Sequence, residues 1–385
     1  MKSLNAGLIG YKFMGKAHAN AFRQVNHFFQ APAKIGLRSI CGRDESQVSK
    51  AMETLGFDSY DTDWKSLVKR DDIDFVDIAA PGNFHMEMAI CAAEHKKHVF
   101  CEKPLAFNVK DARKMLKAAG DNGIRHQVGF NYRFAPAVRL AKRLIDEGRI
   151  GEIYHFRGQY LQDWIVNPDF PLNWRLDKKI AGSGAHGDIN AHLIDLARYL
   201  VGDFHKVVGM QKTFIKNRPL AEMSAGLTAK GISGRTGEVT VDDASLFLAE
   251  FENGATGTFE ATRLATGRKN GMSLEINGSR GSIRFAFERM NELQYYSVDD
   301  DPHILGFRTI QATDASHEYA PNWWPVGHIL GYEHTFVHEF YEFVQCIVGE
   351  RNCSPDFHDG MKCNQVLDAV DCSITEGQWI NVAEI

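Results

Sequence analysis

Apolar positions in the first third of the chain fall into short runs that alternate with stretches of helical spacing. Leu4–Gly10 is the first run, and Lys16–Gln24 follows it with helical spacing. Ile35–Cys41 then predicts a strand and Glu45–Leu55 a helix. Phe75–Ala80, His98–Cys101 and Gln127–Phe130 predict three further strands, with a helix over His85–Glu94 between the first two. Asn108–Gly120 fills the next interval. Asn108 is a capping residue type, Val109, Ala112, Met115, Leu116 and Ala119 recur at helical spacing, and Gly120 offers a left-handed stop. Strands alternating with helices of this length predict a parallel, doubly wound sheet.

Beyond about residue 150 strand candidates follow one another directly: Val207–Ile215, Ser245–Phe251, Ala255–Arg263, Met272–Ile276, Ser282–Phe287 and Leu293–Ser297. Asn253-Gly254 is a hairpin turn signal, and Asn277-Gly278 with Gly281 marks another. Helical spacing returns at Phe336–Val348 and Gly360–Ser373. The expected class is therefore α/β. A Rossmann-type doubly wound parallel sheet occupies residues 1–130. An α+β domain with a large, mostly antiparallel open sheet occupies 131–385, its last helix packing back on the first domain.

Composition narrows the function. At 385 residues the chain exceeds the size at which one core stops growing, about 250 to 300 residues, so two domains are expected. Hydrophobic residues at 44% and charged residues at 24% exclude a disordered chain, a collagen and a coiled-coil rod. Lys and Arg number 44 against 49 Asp and Glu, net −5, which argues against a nucleic-acid partner. The seven cysteines are odd in number and form no CxxC pair, so neither a disulfide framework nor a zinc ribbon is expected. A reducing, cytoplasmic setting fits. The N-terminal apolar run is broken by Lys12 and does not read as a signal peptide, and no run of about 20 apolar residues predicts a membrane span.

Three segments carry candidate chemistry. Gly10-Tyr11-Lys12-Phe13-Met14-Gly15 lies between the first strand and the first helix, where a dinucleotide pyrophosphate meets helix N–H groups. Lys12 replaces the second glycine of the usual G-x-G-x-x-G. After the second strand, Gly42 holds the usual slot of the ribose-binding acid. Arg43 could meet a 2′-phosphate, and Asp44 could instead cap the next helix, so NAD and NADP both stay open. Glu102-Lys103-Pro104 places an acid and a base at a strand's carboxyl end, where ligands of open α/β sheets sit. Ala181-Gly-Ser-Gly-Ala-His-Gly-Asp188 leads to His192 and Asp195. At 100° per residue, Asp188, His192, Asp195 and Tyr199 fall within about 60° of one another, so a carboxylate and an imidazole share a polar line suited to general-base work.

Other segments read less sharply. His334 and His338 stand four apart beside Glu333 and Glu339, but the order is not HExxH and a third ligand is not evident, so no metal is expected. Trp323-Trp324-Pro325 and Leu161-Gln162-Asp163-Trp164 offer aromatic faces and hydroxyl-binding groups for a sugar, or else core packing.

Taken in order, Gly10–Gly15, Pro81 to His85, Glu102–Pro104 and Asp188 with His192 resemble the glucose–fructose oxidoreductase/inositol dehydrogenase (Gfo/Idh/MocA) family over nearly the whole chain. Gly82 stands where many members have asparagine, and Asn83 is the candidate substitute. FMGKAH, HFFQAPA, Tyr160–Trp164 and AGSGAHGDI resemble the branch of levoglucosan and related sugar 3-dehydrogenases, which use NAD; Trp323–His338 departs from it and leaves the sugar open. The resemblance implies an NAD(P)-dependent dehydrogenase acting on a secondary alcohol of a sugar, anhydrosugar or cyclitol, with C3 of a pyranose as the expected position. Lys103, Asp188 and His192 are then the expected catalytic residues. The expected cofactor set is Gly10, Lys12, Phe13, Met14, Gly15, Arg43, Pro81, Asn83, His85, Glu102, Lys103 and Asn131. The expected substrate set is Lys103, Tyr132, Gln162, Asp163, Trp164, Arg175, Asp188 and His192. No metal, nucleic acid or membrane is implied, and a homotetramer, a dimer of dimers, is. Two rivals remain: a glycoside-cleaving enzyme that oxidises its substrate transiently, and a non-catalytic dinucleotide sensor, which would be expected to lose Lys103 or His192.

Overall fold

The computed structural model describes residues 2–221 and 231–385. The chain divides into two units, Met1–Ala135 with Tyr319–Lys362, and Pro136–Glu318 with Cys363–Ile385.

The first unit is built on six parallel strands: β1 (Lys2–Ile9), β2 (Ala33–Cys41), β3 (Ser59–Asp61), β4 (Phe75–Ile78), β5 (His98–Cys101) and β6 (His126–Val128). They lie in the order β3-β2-β1-β4-β5-β6, so the winding reverses between β1 and β4. That reversal opens the crevice in which such sheets bind ligands. The connections carry α1 (Phe13–Phe28), α2 (Glu45–Leu55), α3 (Trp64–Val68), α4 (His85–Glu94) and α5 (Val109–Asn122). Strand β3 and helix α3 have no counterpart in the sequence pattern. Both are short, and an edge strand of three half-buried residues has no apolar run to announce it. Asn108 caps α5 as expected, its Oδ1 accepting the Asp111 N–H at 2.9 Å. The helix does not stop at Gly120; it ends at Gly123, whose φ is +64°. The sequence pattern places residues 131–385 in a second domain with only the last helix packing back on the first, whereas Tyr319–Lys362 belongs to the first unit and most of the last helix, Phe357–Glu376, belongs to the second. The reason is the helix Tyr332–Val348. Its stripe of Phe336, Val337, Phe340, Phe343, Val344 and Ile347 is buried in the same core as Phe22, Phe75 and Phe100.

The second unit holds a nine-stranded sheet. Its strands are β7 (Ile153–Leu161), β8 (Phe204–Lys212), β11 (Ala244–Phe251), β12 (Thr256–Thr262), β13 (Gly271–Gly278), β14 (Gly281–Ala286), β15 (Glu292–Ser297), β16 (Arg308–Gln311) and β17 (Ile380–Asn381). A separate hairpin pairs β9 (Asn217–Ala221) with β10 (Gly231–Glu238). The sheet order is β16-β15-β14-β13-β7-β12-β11-β8-β17, antiparallel throughout except where β7 and β12 run parallel. Central β7 is another strand the pattern omits. Exposed His155, Arg157 and Gln159 alternate with buried Phe156, Gly158 and Tyr160, so it reads as polar. One face of the sheet buries Phe156, Phe247 and Phe259. The other leaves Met210, Leu246 and Leu248 exposed. No described helix is long and apolar enough to cross a membrane.

Candidate active site

In the first unit, four chain crossings meet at the carboxyl ends of the strands. The Gly10 N–H donates to the Cys41 carbonyl at 3.0 Å, Ala79 to Ile9 at 2.9 Å, Glu102 to Ile78 at 3.0 Å and Gly129 to Cys101 at 2.8 Å. This ladder gathers Gly10–Gly15, Pro81–His85, Glu102–Lys103 and Asn131 along one edge. Gly10 has φ +107°, and a Cβ on Gly15 would overlap the Gly10 carbonyl oxygen, so both ends of this turn require glycine. Lys12 sits at φ −79°, which any residue adopts, and its side chain is exposed. The turn therefore needs no left-handed residue at this position. No side chain caps α1, which leaves the N–H groups of its first turn for an anion. The cradle fits a dinucleotide pyrophosphate.

The other expected cofactor residues are placed as follows. Phe13 is exposed and its ring lies 6.4 Å from the Tyr332 ring; Met14 is half-buried. Arg43 is exposed, and Asp44 caps α2 by accepting the Gln47 N–H at 3.0 Å. Pro81 and Asn83 are exposed on the turn before α4. His85 is buried, its Nδ1 3.1 Å from the Pro104 carbonyl and its Nε2 2.9 Å from that of Ala80. Burial holds its pKa below the usual histidine value. Asn131 is buried and donates to the Thr335 Oγ1 at 2.8 Å, and Tyr132 is buried as well. Lys103 is half-buried, and its backbone N–H donates to the Glu102 Oε2 at 3.2 Å.

The second unit assembles most of the expected substrate residues into one polar wall. Arg263 Nη2 meets Asp188 Oδ2 at 2.5 Å. Its guanidinium lies 5.4 Å from the Trp164 ring centre. Trp164 donates to Gln162 at 3.0 Å, Gln162 donates to Asn270 at 3.1 Å, and the Tyr160 hydroxyl donates to the same Asn270 oxygen at 2.7 Å. The Tyr160 and His192 rings are 6.0 Å apart. Asp163 is held outward by Lys269 at 2.8 Å and by the Gly267 N–H at 3.1 Å; the Lys269 ammonium keeps its carboxyl below the usual range. Burial draws the Arg175 guanidinium down, Asp188 opposes this, and the group lies 4.3 Å from the Trp174 ring centre.

The segment carrying Asp188 is not one regular helix. His186–Asn190 is a π-turn, and the α-helix runs Ala191–Leu200. A uniform 100° step therefore does not hold from Asp188 to His192, as is common where π-turns occur at functional sites. Asp195, expected on the same polar line, is 1% exposed, and the Tyr199 hydroxyl accepts from Arg139 at 2.8 Å. The entry to the π-turn is pinned by Asp242, which accepts the N–H groups of Gly184 at 2.7 Å and His186 at 2.8 Å.

Residues 4–130 match the sequence model of the oxidoreductase family with an NAD-binding Rossmann fold, and residues 138–284 match the GFO/IDH/MocA C-terminal domain. The chain belongs to the Gfo/Idh/MocA oxidoreductase family. It is 44% identical to levoglucosan dehydrogenase of Pseudarthrobacter phenanthrenivorans, over all of both chains. The fold matches the crystal structure of an oxidoreductase domain protein from Kribbella flavida with a TM-score of 0.95 at 49% identity, covering 99% of this chain and 100% of that one. It matches levoglucosan dehydrogenase in complex with NADH and levoglucosan with a TM-score of 0.94 at 43% identity, again covering 99% and 100%. The α/β class and the NAD-binding Rossmann sheet expected from the sequence are those of this family.

For a family member, three site features escaped the sequence reading. Arg263 follows Gly257, Phe259 and Ala261 at the inward parity of β12, so an arginine at a core position was the available signal. His18 lies on the apolar stripe of α1, and Asp77 is the one charge in the fully buried β4. Their Nδ1 to Oδ2 distance is 2.9 Å. The aromatic segment after residue 320 divides. Trp323 is core and donates to His338 Nε2 at 2.7 Å, while Trp324 is exposed. His338 Nδ1 lies 2.8 Å from the Phe134 carbonyl, so both its nitrogens are engaged and the His334/His338 pair is not poised to bind metal. The glycine turn yields a direct prediction. Gly15→Ala should weaken NADH binding by about 10-fold or more, because the added methyl must push the Gly10 carbonyl out of the cradle. Quenching of protein fluorescence by NADH measures this, and wild-type affinity in that variant would refute the cradle.

Proposed function

We propose that this protein is an NAD-dependent dehydrogenase that oxidises a secondary alcohol of a sugar or anhydrosugar, at C3 of a pyranose, to the 3-keto sugar. The observation that carries the reading is the wall of Tyr160, Gln162, Trp164, Arg263, Asp188 and His192 in the second unit. An indole face beside amide, phenol and carboxylate groups suits a pyranose, whose C–H faces stack while its hydroxyls hydrogen-bond. The full-length likeness to levoglucosan dehydrogenase supports the same substrate class.

Bound NAD supplies the acceptor for the hydride that leaves the alcohol carbon. His192 takes the hydroxyl proton as general base. Lys103 hydrogen-bonds the oxygen and stabilises the negative charge that develops on it. Asp188 orients this array, and Arg263 at 2.5 Å balances its charge and fixes its direction. The glycine turn and the first turn of α1 hold the pyrophosphate.

The test is a panel of sugars, anhydrosugars and cyclitols, each with NAD and with NADP, read at the reduced-cofactor absorbance and by product analysis. NADH formation with a pyranose or anhydropyranose, at one NADH per keto sugar, is the expected result. A cleaved glycoside without net NADH would replace this reading with transient oxidation, and cofactor binding without turnover of any sugar would replace it with a sensor.

A further inference from the structure

Beneath the Glu102-Lys103 turn the first unit buries three charged groups that the proposed chemistry does not use. His18 Nδ1 lies 2.9 Å and 3.1 Å from the two oxygens of Asp77, and its Nε2 lies 3.1 Å from Glu102 Oε1. His18 and Asp77 are fully buried and Glu102 nearly so. The ring is walled by Phe100, Phe336 and Phe340, with centroids at 5.4, 5.6 and 5.0 Å. Both ring nitrogens face carboxyl oxygens, so an imidazolium between two carboxylates lets each ring N–H donate to an acceptor. Burial pushes the Asp77 carboxyl up, and the charge and hydrogen bonds of His18 oppose that. Burial pulls this imidazole down, but Asp77 and then Glu102 outweigh it and push its pKa up to about 10.

The arrangement has one outlet. Glu102 spends Oε1 on His18 and Oε2 on the backbone N–H of Lys103 at 3.2 Å. Gly129 lets the carboxylate lie there, since a Cβ on it would come within 2.8 Å of Glu102 Oε1. Among the described residues the Asp77 carboxylate hydrogen-bonds only His18, so the line ends in the core. A proton moving along it would have nowhere to go. That rules against a relay and favours a mechanical role.

We propose that His18 is a positioning residue: gripped by Asp77, it fixes both oxygens of Glu102 and thereby the main chain from which the Lys103 side chain acts. This rests on the role given to Lys103 above. A displacement of about 1 Å at a catalytic group costs up to about 10²-fold in rate. A charge clamp is stiffer than a neutral contact because its hydrogen bonds are shorter and stronger.

The test pairs His18→Phe with the double variant His18→Phe/Asp77→Leu. The single variant strands two buried carboxylates and is expected to lose stability. The double variant replaces the His18–Asp77 pair with apolar groups of similar size and leaves Glu102 its Lys103 N–H contact, so it strands one carboxylate fewer and is expected to recover most of the lost stability. In that folded protein kcat should remain about 10- to 100-fold low, while the sugar KM and the NADH dissociation constant stay within about 3-fold of wild type. A folded double variant with wild-type kcat would overturn the proposal, because the cluster would then serve stability alone. Nitrogen NMR of 15N-histidine-labelled wild type, assigned with His18→Phe, gives a reading that needs no sugar. Both His18 nitrogens should stay protonated at pH 8, and a neutral tautomer there would overturn the clamp. Absence of sugar turnover in the wild type would sink the proposed function and leave the NMR result to decide the clamp.

Discussion

His192→Ala is expected to lower kcat by about 10²- to 10⁴-fold, the usual cost of removing a positioned general base and equivalent to about 2.7 to 5.5 kcal/mol of barrier. NADH binding should be unchanged, because the residues proposed to cradle the dinucleotide belong to the glycine turn and α1. Stability should change little as well. His192 sits at the start of its helix, after the π-turn, with the Tyr160 ring 6.0 Å away, and alanine is a good helix residue. Single-turnover measurement at saturating NAD isolates the chemical step. A variant that retains wild-type kcat would remove His192 from the mechanism, and Asp188 would then be the remaining candidate base in that wall.

Phe340→Ala is expected to cost about 3 to 5 kcal/mol of stability. Phe340 is fully buried, with ring centroids 4.3 Å from Phe100, 4.7 Å from Phe22 and 5.0 Å from His18. Its loss opens a cavity where α1, β5 and the helix Tyr332–Val348 meet, and the close-packed aromatic neighbours have little room to collapse into it. Domains are stable by only about 5 to 15 kcal/mol, so a loss of this size should be plain in denaturant titration of the first unit's transition. Phe340→Leu keeps most of the volume and should cost less than about 1.5 kcal/mol. Equal midpoints for Phe340→Ala and wild type would show that the helix is not part of this core.

Much of the first unit was legible because its signals are local. The helix over Glu45–Leu55 and the strand over His98–Cys101 have the ends that the apolar pattern assigns them. Asp44 and Asn108 cap their helices through their own side chains. The Gly10–Gly15 turn is readable for the same reason, since a tight strand-to-helix turn imposes its glycines within six residues. Signals failed where an element is short or its alternation mixes polar residues with glycine, as in β3 and β7. They failed also at the π-turn, whose entry is pinned by the Asp242 carboxylate, 54 positions away from Asp188, as well as by the local Ser183 hydroxyl.

The sequence by itself determined the α/β class, the order of the motifs and the family, because hydrophobic period, capping and glycine turns act between near neighbours. Tertiary structure decided which charges meet. Arg263 reaches Asp188 across 75 positions, His18 reaches Asp77 across 59 and Glu102 across 84, and Tyr319–Lys362 returns to a core begun by the first strands. A buried ion must find its partner wherever the chain brings one, since solvation is no longer available to it. The separation along the chain carries no trace of that pairing, and only the folded core imposes it.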